Sequence, residues 1–121
     1  DSYKKNADKH DINSYKNSRY FAESAKIARN YEPNPDKLCI FSGACQTYFE
    51  LVMGKGANFA SSPGRILINA LDPAFVSQKI ALTDSRMVVT PEKVAELTIS
   101  GSKGIGGVRT KGQLRVRYPL F

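Results

Sequence analysis

The chain has 121 residues, 41% of them hydrophobic and 24% charged, with a formal net charge of +7. That size and mix suit one globular domain and exclude an intrinsically disordered chain. Two cysteines and one histidine exclude a disulfide scaffold and a zinc site, and no apolar run reaches membrane-spanning length.

In chain order, residues 1–11 are polar, carry the single histidine, His10, between Lys9 and Asp11, and read as a loop. Asn13 or Ser14 is a candidate cap for a helix running to about Arg29, with Phe21, Ala25 and Ala28 at helical spacing and Ile27 beside them facing a sheet. Glu32-Pro33-Asn34-Pro35 stops that helix. Leu38, Cys39, Ile40 and Phe41 then form an unbroken apolar run, which predicts a strand buried on both faces. A helix entering a buried strand is half of a crossover unit, so the preceding strand is expected upstream of Asp1. Ser42 and Gly43 break the run, Cys45 follows, and residues 46–53 read as a helix with Phe49, Val52 and Met53 on one side. Gly54-Lys55-Gly56 ends it, and residues 57–61 predict a second strand.

Ser62-Pro63-Gly64-Arg65 reads as a turn and Ile66-Leu67-Ile68 as extended or strand-like. Asp72-Pro73 starts a helix that covers Phe75, Val76, Ile80 and Ala81. Met87-Val88-Val89 reads as extended, and Thr90-Pro91-Glu92 starts a further helix to about Leu97. Residues 101–107 read as a glycine-rich loop, followed by a hairpin of 108–110 with 113–118 around Lys111-Gly112.

Several features point to chemistry. A thiol on a tight strand-to-helix turn is a candidate nucleophile, because the strand fixes its position and a helix N-terminus lowers a thiol pKa; the competing reading of Cys45 is a small inert apolar residue. A general base must reach that thiol, and nothing in the sequence brings His10 to it. The segment 58–62 reads as the next core strand and also as a substrate edge to which an extended peptide pairs, two readings that one strand can satisfy together. Asp72 reads as an N-cap or as the acid of a pocket for Arg or Lys. Gly101-Ser102-Lys103-Gly104 faintly echoes a nucleic-acid clamping loop, but its flanks do not fit. The basic residues are spread along the chain and no aromatic-rich binding strand accompanies them, so nucleic acid is not expected as the main partner.

Four blocks carry a resemblance that spans most of the chain: Ile40-Phe41-Ser42-Gly43-Ala44-Cys45-Gln46; Gly56-Ala57-Asn58-Phe59-Ala60-Ser61-Ser62-Pro63; Ala70-Leu71-Asp72-Pro73; and Lys103-Gly104-Ile105-Gly106-Gly107 leading to Gly112 and Leu114-Arg115. In order and spacing they resemble the C-terminal part of the YabG family of sporulation-specific cysteine proteases. The cysteine block of that family is similar to that of the caspase, legumain and gingipain superfamily. The resemblance implies an α/β three-layer sandwich with a mostly parallel sheet flanked by helices, here lacking its first strands, with 1–121 as the C-terminal part of one catalytic domain. It implies that Cys45 is the nucleophile, that the backbone N–H of Cys45 and of Asp1 are oxyanion donors, and that Ala60, Ser61 and Ser62 line the S1 pocket.

The family's histidine stands in a Gly-His-Asp segment of which only Asp1 matches here, so the base is expected immediately before residue 1 and His10 does not match it. The implied activity is cleavage after Arg or Lys of spore coat and cortex-related proteins, and of the protein itself, in the mother-cell cytoplasm or the spore coat. The implied partners are those protein substrates and the N-terminal part of the same protein, with no membrane and no cofactor or metal. The alternative class is a non-catalytic basic binding module, spore-structural or nucleic-acid-associated.

Overall fold

Ser18 to Tyr31 form the first long helix, α1, of the computed structural model, which describes residues 4, 8 and 10–114. A single 3-10 turn, Ile12–Ser14, precedes it, with the Asp11 carboxylate accepting the Asn13 N–H. The helix therefore starts later than the Asn13/Ser14 cap predicts. Its buried residues are Ser18, Ala22 and Ala25, with Phe21 and Ala28 partly buried beside them. Ile27 faces outward at 61% exposure, on the far side of the helix from that stripe. Arg29 closes the C-terminal end: its guanidinium donates to the carbonyls of Glu32 (3.1 Å), Asn34 (3.2 Å) and Gly56 (2.9 Å) and to Asn58 Oδ1 (2.6 Å). A cation on the last carbonyls of a helix satisfies acceptors that the helix itself leaves open.

The apolar run after α1 narrows to a short strand, β1 (Phe41–Ser42). Its approach is extended and alternates: Ile40 packs with Ala22, Ala25 and Val52, while Cys39 and Phe41 pack against Val76, Ile80 and Val94. Helix α2 (Phe49–Gly54) buries Val52, with Phe49 and Met53 packed against the same cluster, and Gly56 turns the chain at a φ of 110°. Strand β2 (Phe59–Ser61) is buried at every position. It pairs in parallel with β1, with Phe41 opposite Phe59 and Ser42 opposite Ala60.

Helix α3 (Asp72–Leu82) buries Val76 and Ile80, whereas Phe75 is half-buried and Ala81 is exposed. Strand β3 (Val88–Val89) leads into α4 (Pro91–Leu97), where Thr90 caps through its hydroxyl to the Lys93 N–H and Pro91 opens the first turn. The glycine-rich stretch departs from its predicted loop: after a 3-10 turn at Gly101–Lys103, Ile105–Gly107 is strand β4, antiparallel to β2. Strand β5 (Thr110–Lys111) pairs antiparallel with β3. The predicted hairpin partner, 113–118, lies largely outside the described residues.

The result is an α/β fold whose three-stranded sheet runs β1-β2-β4, with a separate β3-β5 ribbon. Among the described residues this sheet is mixed, with β1 and β2 parallel and β4 antiparallel to β2. Since β2 is the middle strand among the described residues, β1 and β4 occupy both its edges, and Phe59–Ser61 present no free edge to an incoming peptide. Adjacent residues of β2 face two different cores. Ala60 joins the cluster of α1 and α2, and Phe59 joins the cluster with Val76, Ile80, Val89, Val94 and Ile105.

Cys39 titrates as its place in the second core dictates. Burial pushes its thiol up from 9.0 to about 11, against the opposing pull of the Arg29 charge. The folded state therefore favours the neutral thiol. Its contribution is complete below pH 9, the ordinary value, and is lost as pH rises toward 11. Urea denaturation at pH 8 and pH 10.5 is expected to show the parent losing about 2 kcal/mol more than a Cys39→Ala variant over that interval. Parallel profiles for the two proteins contradict this account.

Candidate functional site

The loops that leave the carboxyl ends of the parallel pair β1 and β2 meet each other, and Cys45 sits where they meet. Gly43 makes the exit possible. Its φ is 105°, and a Cβ there would stand 2.8 Å from Ser61 Oγ and 3.2 Å from the Thr47 methyl. Thr47, fully buried, closes the turn by accepting the Ala44 N–H (2.7 Å) and donating to the Ala44 carbonyl (2.8 Å). Ser61 Oγ donates to the same carbonyl at 2.9 Å. Gln46 adopts a left-handed φ of 56°, and its N–H donates to Ile66 O and to Ser62 Oγ, each at 3.1 Å. The turn around Cys45 is thus held on both sides by groups from the end of β2 and the loop after it.

The sulfur itself is half-buried and meets the 62–71 loop. Cys45 Sγ accepts the Ile68 N–H at 3.2 Å, and its S–H points to the Ile68 carbonyl at 3.7 Å. This loop carries no strand. The backbone groups of Ile66 and Ile68 that a strand would pair serve the Cys45 turn instead, and Leu67 between them is 73% exposed. Helix α2 begins only at Phe49, so its N-terminus does not abut the sulfur as the predicted helix from Gln46 implies. Both cysteines are free.

Of the remaining residues singled out by sequence, Ala60, Ser61 and Ser62 are each fully buried. They form the floor beneath the Cys45 turn and offer no open surface for an S1 pocket, because Ala60 lies in the core and both serine hydroxyls are engaged within the turn. Asp72 is fully buried too, and its two oxygens accept the N–H groups of Ile99 (2.8 Å) and Ser100 (3.0 Å). Burial alone raises this carboxyl; donors from Ser100, Ile99 and Asn69 outweigh it and hold it below the ordinary value. With those oxygens occupied, Asp72 ties α3 to the turn after α4 and does not present an acid to a ligand. Nor does it cap its own helix: Leu71 is the N-cap, and the Asn69 side chain accepts the Leu71 N–H.

Asp1 lies outside the described residues. His10 is exposed, its carbonyl accepts the Tyr48 hydroxyl, and its ring stands edge-on to Tyr48 at 6.4 Å. Among the described residues no contact brings His10 to the thiol, and no cluster of side chains could hold a metal ion. Among them also, no helix is long and apolar enough to cross a membrane.

Sequence reasoning passed over Arg65, which it placed in a plain turn. Its backbone is left-handed (φ 56°), and its side chain is 8% exposed although fully charged. The guanidinium pairs with Glu50, donates to the Tyr15 hydroxyl and the Pro63 carbonyl, and lies 5.6 Å and 5.5 Å from the ring centres of Tyr15 and Tyr48. The left-handed backbone of Arg65, two residues after Pro63, is set by the folded turn, and no residue type in the sequence announces it.

The Cys45 thiol lies on a loop at the carboxyl ends of a parallel strand pair, the end at which open α/β sheets commonly hold ligands. The chain belongs to the YabG peptidase U57 family, whose model matches residues 1–119. It is similar to the sporulation-specific protease YabG of Bacillus subtilis (strain 168), at 43% identity over 109 residues. That match covers 90% of this chain and 38% of the relative, so the chain spans well under half of that protein's length. No solved structure matches the chain.

Proposed function

We propose that this chain is the nucleophile-bearing part of a cysteine endopeptidase of sporulation that cleaves spore coat and cortex-related proteins, and itself, after Arg or Lys. Cys45 attacks the carbonyl carbon of the scissile bond. A histidine outside these 121 residues, before Asp1, takes the thiol proton and passes it to the leaving amine; water then hydrolyses the acyl-enzyme. The Cys45 N–H is the oxyanion donor within the described residues, since the neighbouring Gln46 N–H is already engaged by Ile66 and Ser62. Asp1 is the candidate second donor.

The observation that carries this reading is the position of one sulfur, half-buried on the loop that leaves β1 beside the parallel strand β2. Family membership supports peptidase chemistry, and the two cores meeting on adjacent residues of β2 support a caspase-like three-layer arrangement. The proposed partners are basic-P1 protein substrates and the N-terminal part of the same protein, in the mother-cell cytoplasm or the spore coat.

A peptidyl chloromethyl ketone with Arg at P1 tests the proposal on the full-length protein. It is expected to alkylate Cys45 with one label per chain and to leave Cys39 unmodified, as read by peptide mass mapping. Labelling of neither cysteine, together with salt-sensitive binding to nucleic acid, supports the non-catalytic basic module instead.

A further inference from the structure

We propose that Arg65 is a positioning residue for the reaction, a clamp that sets the Ile68 backbone against the Cys45 sulfur. The inference rests on the peptidase reading above and deepens it. Two segments meet at the sulfur: the turn 44–48, which carries Cys45, and the loop 62–68, which carries Ile68. One guanidinium joins them. Arg65 belongs to the second segment, and the ring of Tyr48, three residues after Cys45, lies 5.5 Å from its Cζ. Tyr15, stacked on Tyr48 at 5.0 Å between ring centres and 24° between planes, accepts from Arg65 Nε. Tyr48 is in turn pinned to α1, where its N–H donates to Ser18 Oγ at 2.9 Å. Glu50, on the first turn of α2, pairs with the same guanidinium.

The adjoining backbone shows what the clamp positions. Arg65 holds a left-handed φ, the next residue's carbonyl accepts the Gln46 N–H, and two residues further on Ile68 meets the sulfur. A planar fork with several donors suits this task, since it stacks, pairs and hydrogen-bonds at once; an ammonium keeps only the charge. Burial of the guanidinium disfavours its charge, and the Glu50 and Tyr15 oxygens outweigh that and keep it protonated. Glu50 is about half exposed, so the pair is closed toward the protein on the Arg65 side and open to solvent on the other.

The test uses Arg65→Lys and the milder Tyr15→Phe in the full-length protein, with two readouts. The first is the rate at which iodoacetamide alkylates Cys45, with Cys39 in the other core as internal control. Release of the Ile68 contact is expected to raise the Cys45 rate at least about threefold, with the Cys39 rate unchanged. The second is turnover of a P1-Arg peptide, normalised to sites titrated by the chloromethyl ketone. Here kcat per site is expected to fall about 10- to 100-fold for Arg65→Lys and a few-fold for Tyr15→Phe, with KM within about threefold, because small misplacement of a reacting group costs rate more than binding.

If both alkylation rates rise together, or neither variant moves either Cys45 readout, Arg65 supports the fold alone and the inference is overturned. If Cys45 alkylation changes as expected but the parent shows no Cys45-dependent turnover, the positioning stands and the peptidase reading fails.

Discussion

On the proposed mechanism, replacing Cys45 by serine is expected to lower peptide cleavage by the full-length protein at least about 10⁴-fold, because a hydroxyl at this turn is a far weaker nucleophile than a thiolate. Stability should change by less than about 1 kcal/mol. The sulfur is half-buried and makes its two polar contacts with one backbone unit, the N–H and C=O of Ile68, which a hydroxyl can also serve. Separation of the two effects is the point of the experiment: urea midpoints for parent and Cys45→Ser should coincide while turnover disappears. A variant that retains more than about one per cent of parent activity at equal folded fraction removes Cys45 from the mechanism. His10 faces Tyr48 and solvent, so His10→Ala alone should leave turnover within about twofold.

Local rules in the sequence anticipated the elements that obey them. Thr90-Pro91 predicts the start of α4 because a hydroxyl cap and a fixed proline φ act within one turn of chain. The alternate burial of Cys39, Ile40 and Phe41 follows from an apolar run with no polar face. Other elements were hidden because their causes lie far along the chain. Gly106 and Gly107 suggest a loop, yet they form β4, and the glycines are there because the strand is crowded. A Cβ on Gly106 would meet the Phe49 ring at 2.8 Å, and one on Gly107 would meet Asn58 O and Phe59 at 2.4 Å. Lys111-Gly112 resembles a hairpin turn, but Gly112 is packed on the Thr83 carbonyl while Thr110–Lys111 pairs with β3. The site divides in the same way. The place of Cys45 on a turn leaving a short strand was legible from its own neighbours. The Ile68 contact and the Arg65 clamp were not, because Ile66-Leu67-Ile68 has strand composition and only tertiary hydrogen bonds hold it otherwise.

Asn58 is the residue on which the largest loss of stability is expected. It stands immediately before β2, 1% exposed, and its amide joins four segments. Oδ1 accepts the Ile40 N–H at 2.8 Å and Arg29 Nη2 at 2.6 Å, while Nδ2 donates to the Pro35 carbonyl at 3.1 Å and to Thr110 Oγ1 at 3.2 Å. Asn58→Ala leaves a buried backbone N–H and a guanidinium nitrogen without this acceptor. A buried network broken at its hub is expected to cost about 3–5 kcal/mol, measured as a shift in urea midpoint. Asn58→Asp separates the two halves of the hub: it keeps the acceptor for Ile40 and Arg29, with added charge attraction to Arg29, but turns the donor to Pro35 and Thr110 into an acceptor facing the Pro35 carbonyl oxygen, so it should destabilise as well. A cost under about 1 kcal/mol for Asn58→Ala contradicts the hub. The consequence reaches the thiol through register. Asn58 fixes Ile40, the residue before β1, against the start of β2, and the loops leaving those two strands are the ones that hold Cys45. Cleavage by Asn58→Asp should therefore fall more steeply than its folded fraction, since a small slip between β1 and β2 moves the sulfur without unfolding the domain.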